Sequence, residues 1–158
     1  MKKIFVIFFF CVSLMLDIDV NAESSKNNNK QQVQVMQRTF AMIKPSGMHK
    51  TNEIKNIIAQ YGLIVLKSKK IKITSKQIDR LYAMHKDKPF YNDLKSSLEN
   101  QEVEVMVLYG NHAVDNYRKA VKEIRKKYAK NKTENAVHGS DSWKLAHDEI
   151  CMFFTCGR

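Results

Sequence analysis

The sequence contains no glycine-rich phosphate loop: neither G-x-x-x-x-G-K-S/T nor G-x-G-x-x-G occurs in its 158 residues. That excludes the two motifs in which backbone N–H groups cradle a polyphosphate, so any nucleotide must be held by side chains. Cysteine is scarce, three residues in all, and no Cys/His spacing suits a zinc site. No internal repeat is present. No apolar run reaches the roughly 20 residues of a membrane span; Ile4 to Leu16 falls short of it. Acidic residues are outnumbered, 16 against 27 Lys and Arg, giving a net charge of +11 and a pI near 9.6. Such a balance attracts polyanions (nucleotides, nucleic acid, an acidic membrane surface) without choosing among them. The 44% hydrophobic and 27% charged residues describe a globular chain rather than a disordered one, and the length favours one domain.

Residues 1–22 read as a secretory signal. Lys2 and Lys3 make a basic start, Ile4 to Leu16 the apolar stretch, and Val20 and Ala22 the small-residue positions before a cut. A retained anchor is the competing reading. Cleavage after Ala22 removes Lys2, Lys3, Asp17 and Asp19, so the net charge stays +11. The expectation is an exported protein, periplasmic or secreted, with an endoplasmic reticulum route as the eukaryotic equivalent. Only Cys151 and Cys156 then remain, in a compartment that permits disulfides. Five residues apart on one helix they are too distant to bridge, since Cα atoms must lie within about 7 Å. The expectation is two buried free thiols, unless the helix ends between them or a second chain intervenes. Residues 23–35, rich in Asn, Lys and Gln, form a flexible polar lead, and the folded domain spans residues 36–158.

Apolar Arg38 to Ile43, stopped by Pro45 and Gly47, reads as a strand. Ile54, Ile57, Ile58 and Tyr61 have helical spacing, and Gly62 fits the helix stop. Leu63 to Ile73 reads as a second strand, its apolar positions interleaved with lysines. Ser75 is placed to cap a helix running to His85, and Phe90 to Leu98 forms another, entered through Pro89. Val103 to Tyr109 alternates as a strand. Helical patterns follow from His112 to Tyr128 and from Ser142 to Phe154. This order suits an antiparallel sheet covered on one face by helices, an α+β sandwich.

The chemistry concentrates in Asn135-Ala-Val-His138-Gly-Ser-Asp-Ser142. Gly139 removes bulk beside the imidazole, so a polyphosphate can approach it. Glu149, on the following helix, is placed to turn back and bond the second ring nitrogen. An oriented neutral imidazole is a good nucleophile near pH 7. A packing or capping histidine is the bland alternative. Lys44 follows a strand directly, Arg118 and Arg125 lie about two helical turns apart, and Phe90, Tyr91 and Leu94 offer an apolar shelf. A nucleophilic His, cations and a shelf for a base are what phosphoryl transfer from a nucleotide requires.

Asn135 to Ser142 resembles the active-site signature of nucleoside diphosphate kinases. Arg38-Thr-Phe-Ala-Met-Ile-Lys-Pro45 resembles that family's first strand, and Tyr82 to Leu94 its nucleotide-clamping helix pair. The resemblance runs in order from Met36 to Phe154. It implies a ferredoxin-like sandwich with a four-stranded antiparallel sheet. It also implies a ping-pong exchange between nucleoside triphosphates and diphosphates through phosphorylated His138. By the same resemblance Glu149 orients His138, Ser140 supports Glu149, and Tyr82 lies close to the histidine. Lys44 falls at the position that bonds sugar and phosphate, Arg118 and Arg125 match the phosphate-binding arginines, and Asn135 matches the sugar contact. Phe90 stacks on the base and Leu94 lines the same slot, an arrangement tolerant of base identity. Mg²⁺ is implied, held mainly by nucleotide phosphates and water rather than by a protein cage.

The likeness lapses between Arg118 and Arg125. The family has a longer segment there, with a loop bearing a phosphate-contacting threonine and then Pro and Gly; here only Lys119 to Ile124 intervenes. This implies a more open site and a homo-oligomer other than the usual hexamer. Lys132 falls where the family has an apolar residue against the base. Two other readings compete. One is an exported nucleotide-binding protein of the same fold with weak or no turnover. The other is nucleic-acid binding through Lys67, Lys69, Lys70 and Lys72 or through Lys126, Lys127, Lys130 and Lys132, which salt would weaken steeply.

Overall fold

Along the first strand, alternate side chains enter two different cores. In the computed structural model, which describes residues 34–156, β1 (Met36–Ile43) sends Ala41 and Ile43 into one cluster and Phe40 and Met42 into the other. The period-two geometry of a strand requires this whenever both sheet faces are covered. The secretory segment and most of the polar lead lie outside the described residues. Val35 already belongs to the domain: its N–H donates to Asn111 Oδ1 at 2.7 Å and its carbonyl accepts from His112 N at 2.8 Å.

The elements follow as α1 (Thr51–Gln60), β2 (Ile64–Lys72), α2 (Ser75–Leu81), α3 (Tyr91–Leu98), β3 (Glu102–Asn111), α4 (Ala113–Tyr128), β4 (Val137–Gly139) and α5 (Trp143–Phe153). The four strands make one antiparallel sheet in the order β2-β3-β1-β4. That is the ferredoxin-like α+β sandwich. Helices cover both faces, not one. Ile54 and Ile58 of α1 and Tyr117 and Ile124 of α4 pack on one face, while Ile78 of α2, Leu98 of α3 and Phe153 of α5 pack on the other.

Two local expectations change, and two short elements were not foreseen. Thr74, not Ser75, caps α2, through a reciprocal capping box with Gln77, because the cap must precede the first helical residue. That helix ends at Leu81, and a separate 3₁₀ turn covers Ala83–His85. Residues Pro45–Lys50 form another 3₁₀ turn. The strand β4 has only three residues, too few for alternation to reveal.

Cys151 and Cys156 are joined in a disulfide, with Cα atoms 5.2 Å apart. The expectation of two free buried thiols is overturned because α5 stops at Phe153. The extended tail then turns the chain back within reach. Neither cysteine is fully buried.

The lysines of β2 do not form one basic patch. The register sets Lys67 and Lys69 opposite Val107 and Val105, and Lys70 and Lys72 opposite Glu104 and Glu102, on alternate faces. Lys70 pairs with Glu102, Lys127 with Glu123 and Lys130 with Glu134.

Candidate active site

The short strand β4 sits at the sheet edge, with His138 opposite Met42 of β1. Three groups fix it from behind. Tyr117, fully buried, donates its hydroxyl to the His138 carbonyl at 3.1 Å. Arg125 Nη2 donates to the Val137 carbonyl at 3.1 Å. Gly139 lies flat on the Tyr117 ring, where a Cβ would stand 2.6 Å from Cε1. The preceding residue, Ala136, has φ 66°, a left-handed conformation unfavourable for alanine. Its surroundings enforce it. The Ala136 N–H donates to Ser46 Oγ at 3.2 Å, its carbonyl accepts from Lys44 N at 2.8 Å, and Gly47 leaves room for that carbonyl. The Lys44-Pro-Ser-Gly47 turn and the histidine strand therefore hold each other.

His138 Nε2 lies 3.2 Å from Glu149 Oε1, and Ser140 Oγ donates to Glu149 Oε2. An ionised carboxylate only accepts, so Nε2 carries the proton and the Nδ1 lone pair is left free. Burial holds the His138 pKa below its ordinary value; the Glu149 contact opposes this, and the Lys44 and Arg125 charges reinforce it. The ring is therefore neutral near pH 7. Phe40 and Tyr82 flank it, at centroid distances of 6.0 and 5.2 Å.

Lys44 is buried, donates from Nζ to the Thr133 carbonyl at 3.3 Å, and stands 5.4 Å from the Tyr82 ring centre. Burial, and secondarily the Arg125 charge, pull its pKa down to about 7. Arg125 is itself lowered, chiefly by burial. Arg118 and Arg125 both lie on the unbroken helix α4, and Arg118 pairs with Asp141, just beyond the histidine strand. Among the described residues five buried side-chain polar atoms lack a hydrogen-bond partner, and three of them belong to predicted site residues: Tyr82 Oη, Arg125 Nε and Asn135 Oδ1. Unmet buried polar groups are costly, so Tyr82 Oη and Arg125 Nε, both of residues that act on His138, mark places for a polar ligand.

Four of the predicted residues line two separate hollows, while Ser140, Phe90, Leu94, Arg118, Arg125 and Asn135 line neither. One, of about 330 Å³, is lined by Tyr82, His138 and Glu149 together with His85, Asp141 and Asp148. The other, of about 370 Å³, is lined by Lys44 with Ser46, Ser97, Gln101, Lys130 and Thr133. Tyr82 touches both His138 and Lys44 and so stands between the two groups. Phe90 is exposed at the head of α3, its ring 5.7 Å from that of His85. Leu94 does not face an open slot. It is buried in the second core with Tyr91 and Leu98, whose spacing puts all three on the inner face of α3. Lys132 is exposed, and its carbonyl accepts from Asn135 Nδ2 at 2.8 Å. Sequence reasoning missed Tyr117, Thr133 and the structural duty of Ser46 and Gly47. Gly47 after Pro45-Ser46 was the available signal; nothing local marked Tyr117.

A neutral imidazole fixed at one nitrogen, open at the other and set among buried cations is equipped to carry a phosphoryl group. The nucleoside diphosphate kinase family model matches residues 37–157. A nucleoside diphosphate kinase of Phenylobacterium zucineum is 36% identical over 131 residues, covering 75% of this chain and 94% of that protein. Nucleoside diphosphate kinase 1 of Protochlamydia amoebophila is 38% identical, covering 75% and 92%. The Aquifex aeolicus nucleoside diphosphate kinase structure superposes with a TM-score of 0.70 at 27% identity, covering 77% of this chain and 96% of that one. A family protein from Babesia bovis gives 0.68 at 30% identity, covering 75% and 88%. The chain belongs to the nucleoside diphosphate kinase family.

Proposed function

We propose that this chain moves the terminal phosphoryl group of a nucleoside triphosphate to a nucleoside diphosphate through His138. The observation that carries the reading is the Glu149 contact at Nε2, which leaves Nδ1 as the free base of a neutral ring. In the first half-reaction the Nδ1 lone pair forms a bond to the terminal phosphorus. The bond from that phosphorus to the bridging oxygen breaks, and its electron pair leaves with the diphosphate. The second half-reaction runs in reverse onto another diphosphate. Lys44, Arg118 and Arg125 stabilise the charge spread over the transferring oxygens. Tyr82 packs against the ring, Ser140 holds Glu149, Asn135 and Lys44 take the sugar, and Phe90 stacks on the base with Leu94 packed beneath α3.

Among the described residues no group of three or more His, Cys, Asp or Glu is arranged to hold a metal, while Asp141 and Asp148 line the His138 hollow. That lining fits Mg²⁺ arriving on the nucleotide, which Asp141 and Asp148 would help to hold. When bound, it neutralises phosphate charge.

The helix α4 runs straight from Arg118 to Arg125, where the family has a longer looped segment. This supports a more open nucleotide site and a homo-oligomer other than a hexamer. Residues 36–158 form the kinase domain. Residues 1–22 direct export to the periplasm or beyond, and a polar lead joins them to the domain, which Val35 already enters. The test is incubation with γ-labelled ATP and Mg²⁺, then a chase with a nucleoside diphosphate. Acid-labile label that forms on the protein and moves to the diphosphate is the expected result. Nucleotide binding without label would make the chain a nucleotide-binding protein of this fold.

A second expectation concerns pH. Free Lys44, with a pKa of about 7, is mostly neutral at pH 8, and a bound polyphosphate favours its charged form. Nucleotide binding at pH 8 is therefore expected to take up about one proton, falling toward zero by pH 6. Calorimetry in two buffers of different ionisation heat reads this directly. Uptake that persists in Lys44→Met would assign the proton to another group.

A further inference from the structure

The helix α5 has two working stripes. Leu145, Asp148, Glu149 and Met152 line the His138 hollow. Trp143, His147, Ile150 and Phe154 line a different groove, of about 650 Å³, on the other flank of the helix. Spacings of three and four residues keep each set on one side. The floor of this second groove is sheet: Val107 from β3, Leu66 and Lys67 from β2, Gln37 and Arg38 from β1. Lys67 lines it because of a β-bulge. The register passes from Val65 opposite Leu108 to Lys67 opposite Val107, so Leu66 is the extra residue and both side chains reach the groove. The far end is walled by Thr155 and Cys156, held there by the Cys151–Cys156 disulfide.

Two features of the lining point to a ligand class. The first is apolar surface left uncovered on the single chain: Trp143 is 71% exposed and Leu66 43% exposed, and each would bury favourably against a ligand. The second is charge of one sign. Arg38 and Lys67 line the groove, no Asp or Glu does, and among the described residues neither has a carboxylate partner. Lys69 adds a third cation, 5.1 Å from the centre of the Phe154 ring. An apolar trough with a few placed polar groups is the usual make-up of a small-molecule site, and the arginine fork suits a carboxylate.

We propose that this groove binds a free amphipathic carboxylate, an acyl chain or aryl group. Its apolar part lies along Leu66, Val107, Trp143, Ile150 and Phe154, and its carboxylate is held by Arg38 and Lys67. The end wall favours a single free chain over a flat membrane surface. The site is separate from the nucleotide hollow, with α5 between them.

Trp143 is the sole tryptophan and lines the groove, so its fluorescence reports occupancy directly. The full chain is titrated with sodium decanoate below its micelle concentration. A saturable blue shift is expected, with 1-decanol at least about tenfold weaker, the loss that removing one charge-assisted contact produces. Arg38→Gln combined with Lys67→Gln is expected to weaken decanoate at least about tenfold while leaving decanol unchanged. The same double variant should keep its phosphoryl exchange rate at saturating nucleotide. Equal affinity for decanol and decanoate would reduce the groove to a sticky apolar surface and overturn the proposal. So would a shift seen only with phosphatidylglycerol vesicles, or sedimentation showing a dimer that already shields Trp143, since a membrane or a second copy would then be the occupant.

Discussion

Replacing His138 with alanine is expected to lower phosphoryl exchange at least about 10⁴-fold while leaving the fold intact. The size follows from chemistry. Glu149 only accepts hydrogen bonds while ionised, Ser140 is already committed to it, and Tyr82 is buried with its pKa pushed far up by desolvation. None of these three is available to take over as nucleophile near neutral pH. The fold survives because what anchors β4 is main chain: the His138 carbonyl is held by Tyr117 and the Val137 carbonyl by Arg125. Truncation leaves Glu149 with one free oxygen beside a water-accessible hollow, a change on the order of 1 kcal/mol. A coupled steady-state assay beside thermal melts separates the two effects. Exchange within tenfold of the parent, with an unchanged melt, would remove His138 from the mechanism. In the parent, the acid limb of the rate should fall below the ordinary histidine pKa, since burial holds His138 neutral to lower pH.

The second large effect is structural and comes from the residue next in line. Gly139→Val is expected to destabilise the domain by about 3 kcal/mol and to unseat His138 as well. A Cβ at Gly139 would stand 2.6 and 2.8 Å from two atoms of the Tyr117 ring and 3.3 Å from Val121. The ring cannot give way, because Tyr117 is fully buried and its hydroxyl is tied to the His138 carbonyl. The three-residue edge strand must shift instead, and with it the 3.2 Å contact between His138 and Glu149. The melting temperature should drop by roughly 10 °C, and kcat should fall more than stability alone explains at a temperature where the variant is folded. A variant with full kcat and an unchanged melt would show that β4 tolerates the bulk by local movement.

These two residues show how far the sequence could be read. Gly139 stood out beside His138 as a position that removes bulk, and the inference was access for phosphate. In the fold its hydrogen faces Tyr117, so the missing side chain serves packing behind the strand. Strands and helices with clear periodicity fell where alternation and the three-to-four spacing placed them. What escaped was short or capped from outside the pattern: the three residues of β4, the Pro45–Lys50 turn and the cap at Thr74. The cysteines depended on one helix end, which periodicity locates only within a turn or so.

The order of elements and the surplus of positive charge follow from the sequence itself. They depend on local spacing and composition, which the chain carries wherever it goes. Only the tertiary structure decided which nitrogen of His138 is free and that Lys44 is buried enough to lose its charge near neutrality. It alone showed that Ala136 is held in a left-handed turn by a segment about 90 residues away, and that α5 serves a second groove on its other side. Those are consequences of distant residues meeting. Burial, hydrogen-bond partners and local electrostatics exist only once the sheet has brought β1, β4 and α5 together.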